Sequence, residues 1–466
     1  MLLEVLSVTL RNISRRRFLE HVGRSAVGAM AFPYIIPSSA LGADGVVAPS
    51  NRITLGFVGL GNQGLANLSN PNAESYNLAG GFVGMSGAQV LAVCEVDTNR
   101  RNRGRDIVNK VYGNTDCAVY NDFRDMLARD DVDAVVISTP DHWHALIGIA
   151  AAKTGKDVYS EKPLAHNVAE GRAICDTIKR YGTVWQTGTQ QRSWSDFRVA
   201  CELVRNGLIG KVKTVRVSLP AGGASNVTTK PVPVPAGLDY DLWLGPAPWS
   251  PYCNGRCYGS FRQVSDYSSG PIADWAGHHV DIAQWGMGTD YTGPVEIEAK
   301  GQFNSEGLFD NMTTYRIECK YAQGHTVIIE DSNNREQGRD GKLFTKGTFG
   351  MNIGILFEGS EGWIQVNRMG MDVFPESVRK SSIGPNDIHL YKSNDHKQNF
   401  LECIRSRAQT AAPAEIAHRT ITIGYLGIIA MKLGQKLQWD PKTEKFVGNE
   451  HANRMLTRPM RSPWHI

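Results

Sequence analysis

No apolar run in this 466-residue chain is long and uninterrupted enough to cross a bilayer, so stable membrane insertion is not expected. Cysteine is sparse: there are eight, and none has the paired spacing of a zinc or cluster site. His142 and His144 lack a carboxylate or cysteine partner at ligand spacing, so no metal is expected. There is no internal repeat, and the one low-complexity tract is Pro231-Val232-Pro233-Val234-Pro235. No basic stripe is interleaved with aromatics, which argues against a nucleic-acid partner. Charge of one sign is also lacking. The formal net charge is +4, but residues 1–43 hold five arginines against two glutamates. Outside them, 45 basic residues face 44 acidic ones, and no polyanionic partner is implied.

What is present is the composition of a globular enzyme, 41% hydrophobic and 21% charged, in a chain long enough for two domains. Its N-terminus reads as a targeting segment. Ser14-Arg15-Arg16-Arg17-Phe18-Leu19 matches the twin-arginine export signature, and a weakly apolar run from Val22 to Ile36 follows. Small residues around Ala40-Leu41-Gly42-Ala43 suit cleavage, so a periplasmic protein is expected. In that oxidising compartment Cys253 and Cys257, four residues apart, are candidates for a disulfide.

The first fold signal is a β-rich run, Ile53 to Val58, entering the triplet Gly59-Leu60-Gly61-Asn62-Gln63-Gly64. Glycines at this spacing permit a tight turn and close backbone approach to a pyrophosphate. The next strand pattern ends in Glu95, where a carboxylate accepts a ribose hydroxyl and repels a 2′-phosphate. NAD is therefore favoured over NADP, with Arg100 and Arg101 weakening that preference. Strand and helix signals alternate to Thr187, the mark of a doubly wound parallel sheet over residues 51–190. Two strands end on chemistry-bearing residues, one on Thr139-Pro140-Asp141 and the next on Glu161-Lys162-Pro163. Both ends fall at the carboxyl edge, where ligands bind. The expected cofactor contacts are Gly59, Gly61, Asn62, Gln63, Gly64, Glu95, Thr139, Pro140, Asp141, His144, Glu161 and Lys162.

After residue 190 strand runs predominate, which suggests an α+β domain with an antiparallel or mixed sheet over 191–466. Two closing helices, His396 to Arg407 and Ala414 to Leu433, are able to pack back on the first domain. Trp243, Trp249, Tyr252 and Tyr258 lie in the long segment Pro220 to Gly270, suited either to stacking on sugar rings or to a core. Between the halves stands Asp274-Trp275-Ala276-Gly277-His278-His279-Val280-Asp281. On a helix Asp274, His278 and Asp281 share one face, where a carboxylate beside an imidazole sets its tautomer for proton transfer.

These residues together resemble the glucose–fructose oxidoreductase / inositol dehydrogenase / rhizopine-catabolism (Gfo/Idh/MocA) superfamily over nearly everything after residue 50. The resemblance implies a Rossmann domain followed by a domain with a large, open-faced, mostly antiparallel sheet that mediates homo-oligomerisation. It implies Lys162 near nicotinamide and substrate hydroxyl, His278 as the proton-transfer group supported by Asp274, and Arg192 as a substrate contact. Ala276 departs from the family pattern, in which glycine stands two residues after the aspartate. The implied activity is oxidoreduction of a sugar, glycoside or polyol hydroxyl with tightly held NAD. A redox-neutral glycosidase of the α-N-acetylgalactosaminidase-like branch and a non-catalytic sugar-binding protein are the alternatives.

Overall fold

The strand Ile53–Val58 (β1) is apolar along its length because both its faces are covered, as in parallel sheets generally. The computed structural model describes residues 48, 51–69, 80–223, 227–333 and 353–466. The expected export segment lies outside them. From β1 the chain alternates through α1 (Asn62–Leu68), β2 (Ala88–Cys94), α2 (Thr98–Tyr112), β3 (Ala118–Tyr120), α3 (Phe123–Leu127) and β4 (Ala134–Ile137). It continues through α4 (Asp141–Lys153), β5 (Asp157–Ser160), α5 (Val168–Tyr181) and β6 (Trp185–Thr187). The six strands are parallel, in the order β3-β2-β1-β4-β5-β6. The order reverses between β1 and β4, and a crevice opens there at the carboxyl edge.

The second part holds α6 (Ser195–Arg205), β7 (Val212–Leu219), α7 (Tyr240–Leu244), α8 (Gly270–Met287), and β8 (Glu296–Phe303). Then come β9 (Met312–Lys320), β10 (Thr326–Asp331), β11 (Gly354–Gly359), β12 (Trp363–Asn367) and β13 (Gly370–Phe374). The chain closes with α9 (His396–Ser406), α10 (Ala414–Leu433), β14 (Leu437–Asp440), β15 (Lys445–Phe446) and α11 (Glu450–Arg454). The sheet runs β13-β12-β11-β7-β10-β9-β8-β14-β15, antiparallel except for the parallel β7–β10 pair. Helices α6, α8 and α10 pack on this sheet, while Arg216, Glu358, Arg316 and Glu330 form an ion-pair ladder across its strands. Strands β3 and β13 to β15 were not anticipated, because two to five residues are too few to show a period.

Two features couple the parts. Phe400 and Leu401 of α9 enter the apolar cluster of Leu55, Phe57 and Tyr159, and the Tyr159 ring meets Phe400 edge-on at 5.7 Å. The segment after β7 folds as an arm around its own core of Trp243, Tyr252, Phe261 and Tyr267. Trp249 alone of the four aromatics considered for stacking is mostly exposed, at 66%. The arm is tied to the first sheet by a bridge between Asp97 and Leu238 and by Thr98 N–H donating to the Gly237 carbonyl at 2.9 Å. All eight cysteines are buried free thiols, so Cys253 and Cys257 are not paired.

Candidate active site

The site is assembled at the crevice between β1 and β4, and its floor is the glycine turn. Gly59 has φ +87°, and a Cβ there would lie 2.7 Å from the Ser138 backbone. At Gly64 a Cβ would lie 2.1 Å from the Gly59 carbonyl oxygen, so only glycine lets α1 pack directly on the turn. A groove of about 310 Å³ runs from this turn past Glu95, Thr139, Pro140, Asp141, Glu161 and Lys162. Glu95 accepts one hydrogen bond per oxygen, from Leu60 N–H (2.6 Å) and Asp97 N–H (3.0 Å), leaving lone pairs for hydroxyl donors. Burial pushes its carboxyl up, against the pull of those two amides and Arg100. The Thr139 hydroxyl oxygen is buried with no partner. A glycine cradle, a carboxylate with spare acceptor capacity and an unsatisfied hydroxyl fit the pyrophosphate and ribose of a dinucleotide.

The arm supplies the opposite wall, which periodicity in the sequence gave no means of locating. Leu238, Leu242, Trp243, Tyr258, Phe261 and Arg262 face the Rossmann residues across the groove. Arg100 lies 4.5 Å from the centroid of the Tyr258 ring, and the Tyr258 hydroxyl donates to Asp97 at 3.2 Å. Arg101 is spent structurally, donating to the Glu95 carbonyl and the Asn121 amide oxygen.

Lys162 stands where groove and α8 meet. Its ammonium donates to the Asp274 carbonyl (2.8 Å) and to Asp274 Oδ1 (2.5 Å). Arg262 Nε donates to the same Oδ1 at 3.0 Å. Burial pushes the Asp274 carboxyl up, but Lys162 and Arg262 outweigh it and hold it at about 2. An ammonium has three donors, so one N–H of Lys162 is left for another acceptor. Gly277 explains the close approach: a Cβ there would lie 3.2 Å from Cβ of Lys162. The glycine one place beyond the family position thus lets α8 approach the lysine.

His278 lies one turn beyond Asp274, 5% exposed, with its ring 5.7 Å from that of Trp275. Burial first, then Lys162 and Arg368, drive its pKa well below the ordinary value, so the imidazole is neutral. Its Nδ1 is buried without a partner. Asp274 therefore does not set the tautomer of His278 by a hydrogen bond, as the spacing had suggested. Its carboxylate is committed to Lys162 and Arg262 instead. Arg368, also missed from sequence, lies over the Trp275 ring at 4.9 Å and the Trp194 ring at 5.8 Å.

Several expected contacts sit elsewhere. Asp281 leaves the Asp274–His278 group and receives a bidentate Arg192 at 2.6 and 2.9 Å. Arg192 also donates to Asp290 at 2.6 Å and is 3% exposed, so two carboxylates and burial remove it from substrate contact. His144 is a buried strut, its Nδ1 2.7 Å from the Pro163 carbonyl and its Nε2 3.0 Å from that of Thr139; it does not face the cofactor groove. Glu161, expected to touch the cofactor, does line the groove. Its Oε1 accepts from the amides of Gln63 (3.0 Å), Asn67 (2.9 Å) and Gln190 (3.3 Å). Asn62 and Gln63 do line the groove. Among the described residues no cluster suited to a metal ion occurs, and no helix is long and apolar enough to cross a membrane.

Sheet order, glycine turn and carboxyl-edge groove define a dinucleotide-binding Rossmann domain joined to a mixed-sheet domain. The models of the Gfo/Idh/MocA oxidoreductase family match the chain over residues 53–189, as its NAD-binding Rossmann fold, and over 197–466, as its C-terminal alpha/beta domain. The chain belongs to that family. It is 27% identical over 221 residues to the alpha-N-acetylgalactosaminidase of Shewanella oneidensis, an overlap covering 44% of this chain and 45% of that protein. The chain thus spans about half the length of the curated relatives it matches. Among solved structures, levoglucosan dehydrogenase in complex with NADH and L-sorbose superposes with a TM-score of 0.59 at 18% identity, covering 83% of this chain and 99% of that one. The myo-inositol 2-dehydrogenase of Lactobacillus plantarum gives 0.55 at 17%, covering 83% and 99%. At such identities the likeness is one of fold.

Proposed function

We propose that this protein is an NAD-dependent oxidoreductase acting on a hydroxyl of a sugar, glycoside or polyol, with the nucleotide held tightly in the groove. The observation that carries the reading is the Lys162 ammonium, fixed by Asp274 at the edge of a groove suited to a dinucleotide. Gly59, Gly61, Gly64, Glu95 and Thr139 would hold the nucleotide, with the arm as the outer wall. NAD bound there supplies a hydride acceptor and donor. Lys162, with two donors spent on Asp274, directs the third at the substrate oxygen and stabilises charge developing on it. The neutral imidazole of His278 takes the hydroxyl proton, a role worth roughly 10²–10⁴-fold. The Asp274 carboxylate, ionised down to a pH of about 2, keeps the lysine oriented and paired.

A second reading is a redox-neutral glycosidase in which oxidation at C3 acidifies the C2 proton and permits elimination of the leaving group. The resemblance in sequence to an alpha-N-acetylgalactosaminidase favours it. The twin-arginine signature supports export to the periplasm, where free NAD is scarce and a nucleotide loaded before export has to be retained. Self-association through the second sheet is part of the same proposal. Mass-spectrometric identification of nucleotide released from purified protein, followed by a glycoside panel scored for keto-sugar and for cleavage, tests both readings. Release of no nicotinamide nucleotide defeats them.

A further inference from the structure

A second cavity, of about 340 Å³, lies apart from the nucleotide groove and shares none of its lining residues. Its floor is buried: Val168 at the start of α5, Asn311, and Tyr425, Ile428 and Ile429 of α10. The rim carries Lys432 together with Met455, Thr457, Arg458 and Pro459 near the C-terminus. The segment 261–270 separates the two spaces. Its Phe261 and Arg262 face the groove, while Ser265, Asp266 and Ser269 face the cavity. Asn311 braces this wall by donating from Nδ2 to the Arg262 and Ser268 carbonyls at 3.0 and 3.1 Å.

Two polar groups of the lining are unspent. His166 is 7% exposed; its ring faces the Ser265 backbone, and neither nitrogen completes a well-formed hydrogen bond. A fold seldom leaves both nitrogens of a buried imidazole without a well-formed hydrogen bond, because a desolvated polar atom then has nothing to replace its water. Asp266 is half-buried, and burial followed by the neighbouring Asp310 pushes its carboxyl up, as expected where hydrogen-bond donors are scarce. Asp310 itself is committed to the Ser265 amide and hydroxyl. Arg458 is largely committed as well, to Glu170 and to the His142 carbonyl. The lining thus offers a neutral imidazole, which can donate and accept, a carboxylate, which accepts, and the aliphatic surface of Ile428 and Ile429. These match a molecule with hydroxyls around its edge and C–H groups on its face.

We propose that this cavity is a second small-molecule site, distinct from the catalytic one, that takes a neutral polyhydroxylated ring of monosaccharide size. His166 and Asp266 bind its hydroxyls, and Ile428 and Ile429 bind its C–H face.

The test uses the full chain with myo-inositol as the probe. Crystals soaked in it are expected to show the ring in the cavity, with hydroxyls within hydrogen-bonding distance of His166 and Asp266. In solution, saturation-transfer NMR on His278→Ala is expected to retain a signal that the added Ile429→Trp, which fills the cavity, abolishes. Asp266→Asn, a milder change on the half-buried wall, is expected to weaken binding about 10-fold or more. A cavity holding only water at saturating probe overturns the proposal. So does binding at crystal concentration only, or a solution signal indifferent to Ile429→Trp and Asp266→Asn. None of these outcomes depends on the nucleotide or on turnover, so failure here leaves the catalytic reading standing.

Discussion

Lys162 Nζ lies 2.5 Å from Asp274 Oδ1 and 2.8 Å from the Asp274 carbonyl oxygen, joining the end of β5 to the second turn of α8 across 112 residues of sequence. Both side chains are largely buried, at 13% and 18% exposure. Truncating one partner leaves the other charge uncompensated. Asp274→Ala is therefore expected to cost about 3–5 kcal/mol of stability by denaturant titration. Lys162→Met is expected to lower kcat about 10²–10³-fold, the usual effect of removing one preorganised donor. Unchanged turnover in Lys162→Met removes the lysine from the chemistry.

His278→Ala is expected to reduce kcat by roughly 10²–10⁴-fold while leaving nucleotide affinity, read by intrinsic fluorescence titration, within a factor of two or so. A parallel loss of nucleotide binding makes the histidine structural instead.

The pH dependence carries a sign. His278 is held neutral well below the ordinary histidine value, so a proton acceptor is available throughout the neutral range. The acid limb of kcat is accordingly expected well below pH 6.5, and a limb centred at 6.5 reassigns the base. Stability behaves differently. His142 and His396 are lowered to about 3 and about 4, so below pH 6.5 the unfolded chain binds protons that the folded one does not. Their contribution is present in full above 6.5 and is lost as pH falls towards those folded values. Two pH units below 6.5 the loss is roughly 2–3 kcal/mol for each histidine. Thermal unfolding followed from pH 7 to 4.5 reads it. The Asp274 contribution is lost only lower, between about 4 and 2.

Gly64→Ala places a methyl carbon 2.1 Å from the Gly59 carbonyl oxygen, a backbone contact that no rotamer relieves. Loss of bound nucleotide on purification, with a lower melting temperature, is the expected outcome. Retention of stoichiometric nucleotide contradicts the cradle.

Arg192→Met is expected to behave as a core lesion. It strands Asp281 and Asp290 near a buried site and should cost about 3–5 kcal/mol in stability. Any folded fraction is expected to keep the parent KM. A raised KM in a variant of parent stability restores the substrate contact that the family resemblance implied.

The sequence by itself determined what local pattern encodes. Alternating apolar strands and helices to Thr187, the glycine triplet with its distal Glu95, and the tripeptide Glu161-Lys162-Pro163 are all legible in local sequence. The alternation placed Lys162 at the carboxyl edge of the sheet. The tertiary structure decided partnership. A shared helical face put Asp274, His278 and Asp281 together, but proximity on one helix does not say which cation each carboxylate meets. Asp274 went to Lys162 and Arg262, and Asp281 went to Arg192, because those cations arrive from elements 12 to 112 residues distant. The arm after β7 has no regular period, so only its folded path shows Trp243, Tyr258 and Arg262 closing the groove. Gly277 joins both levels: a glycine one place off the family position in sequence, and in three dimensions the gap through which Lys162 reaches α8.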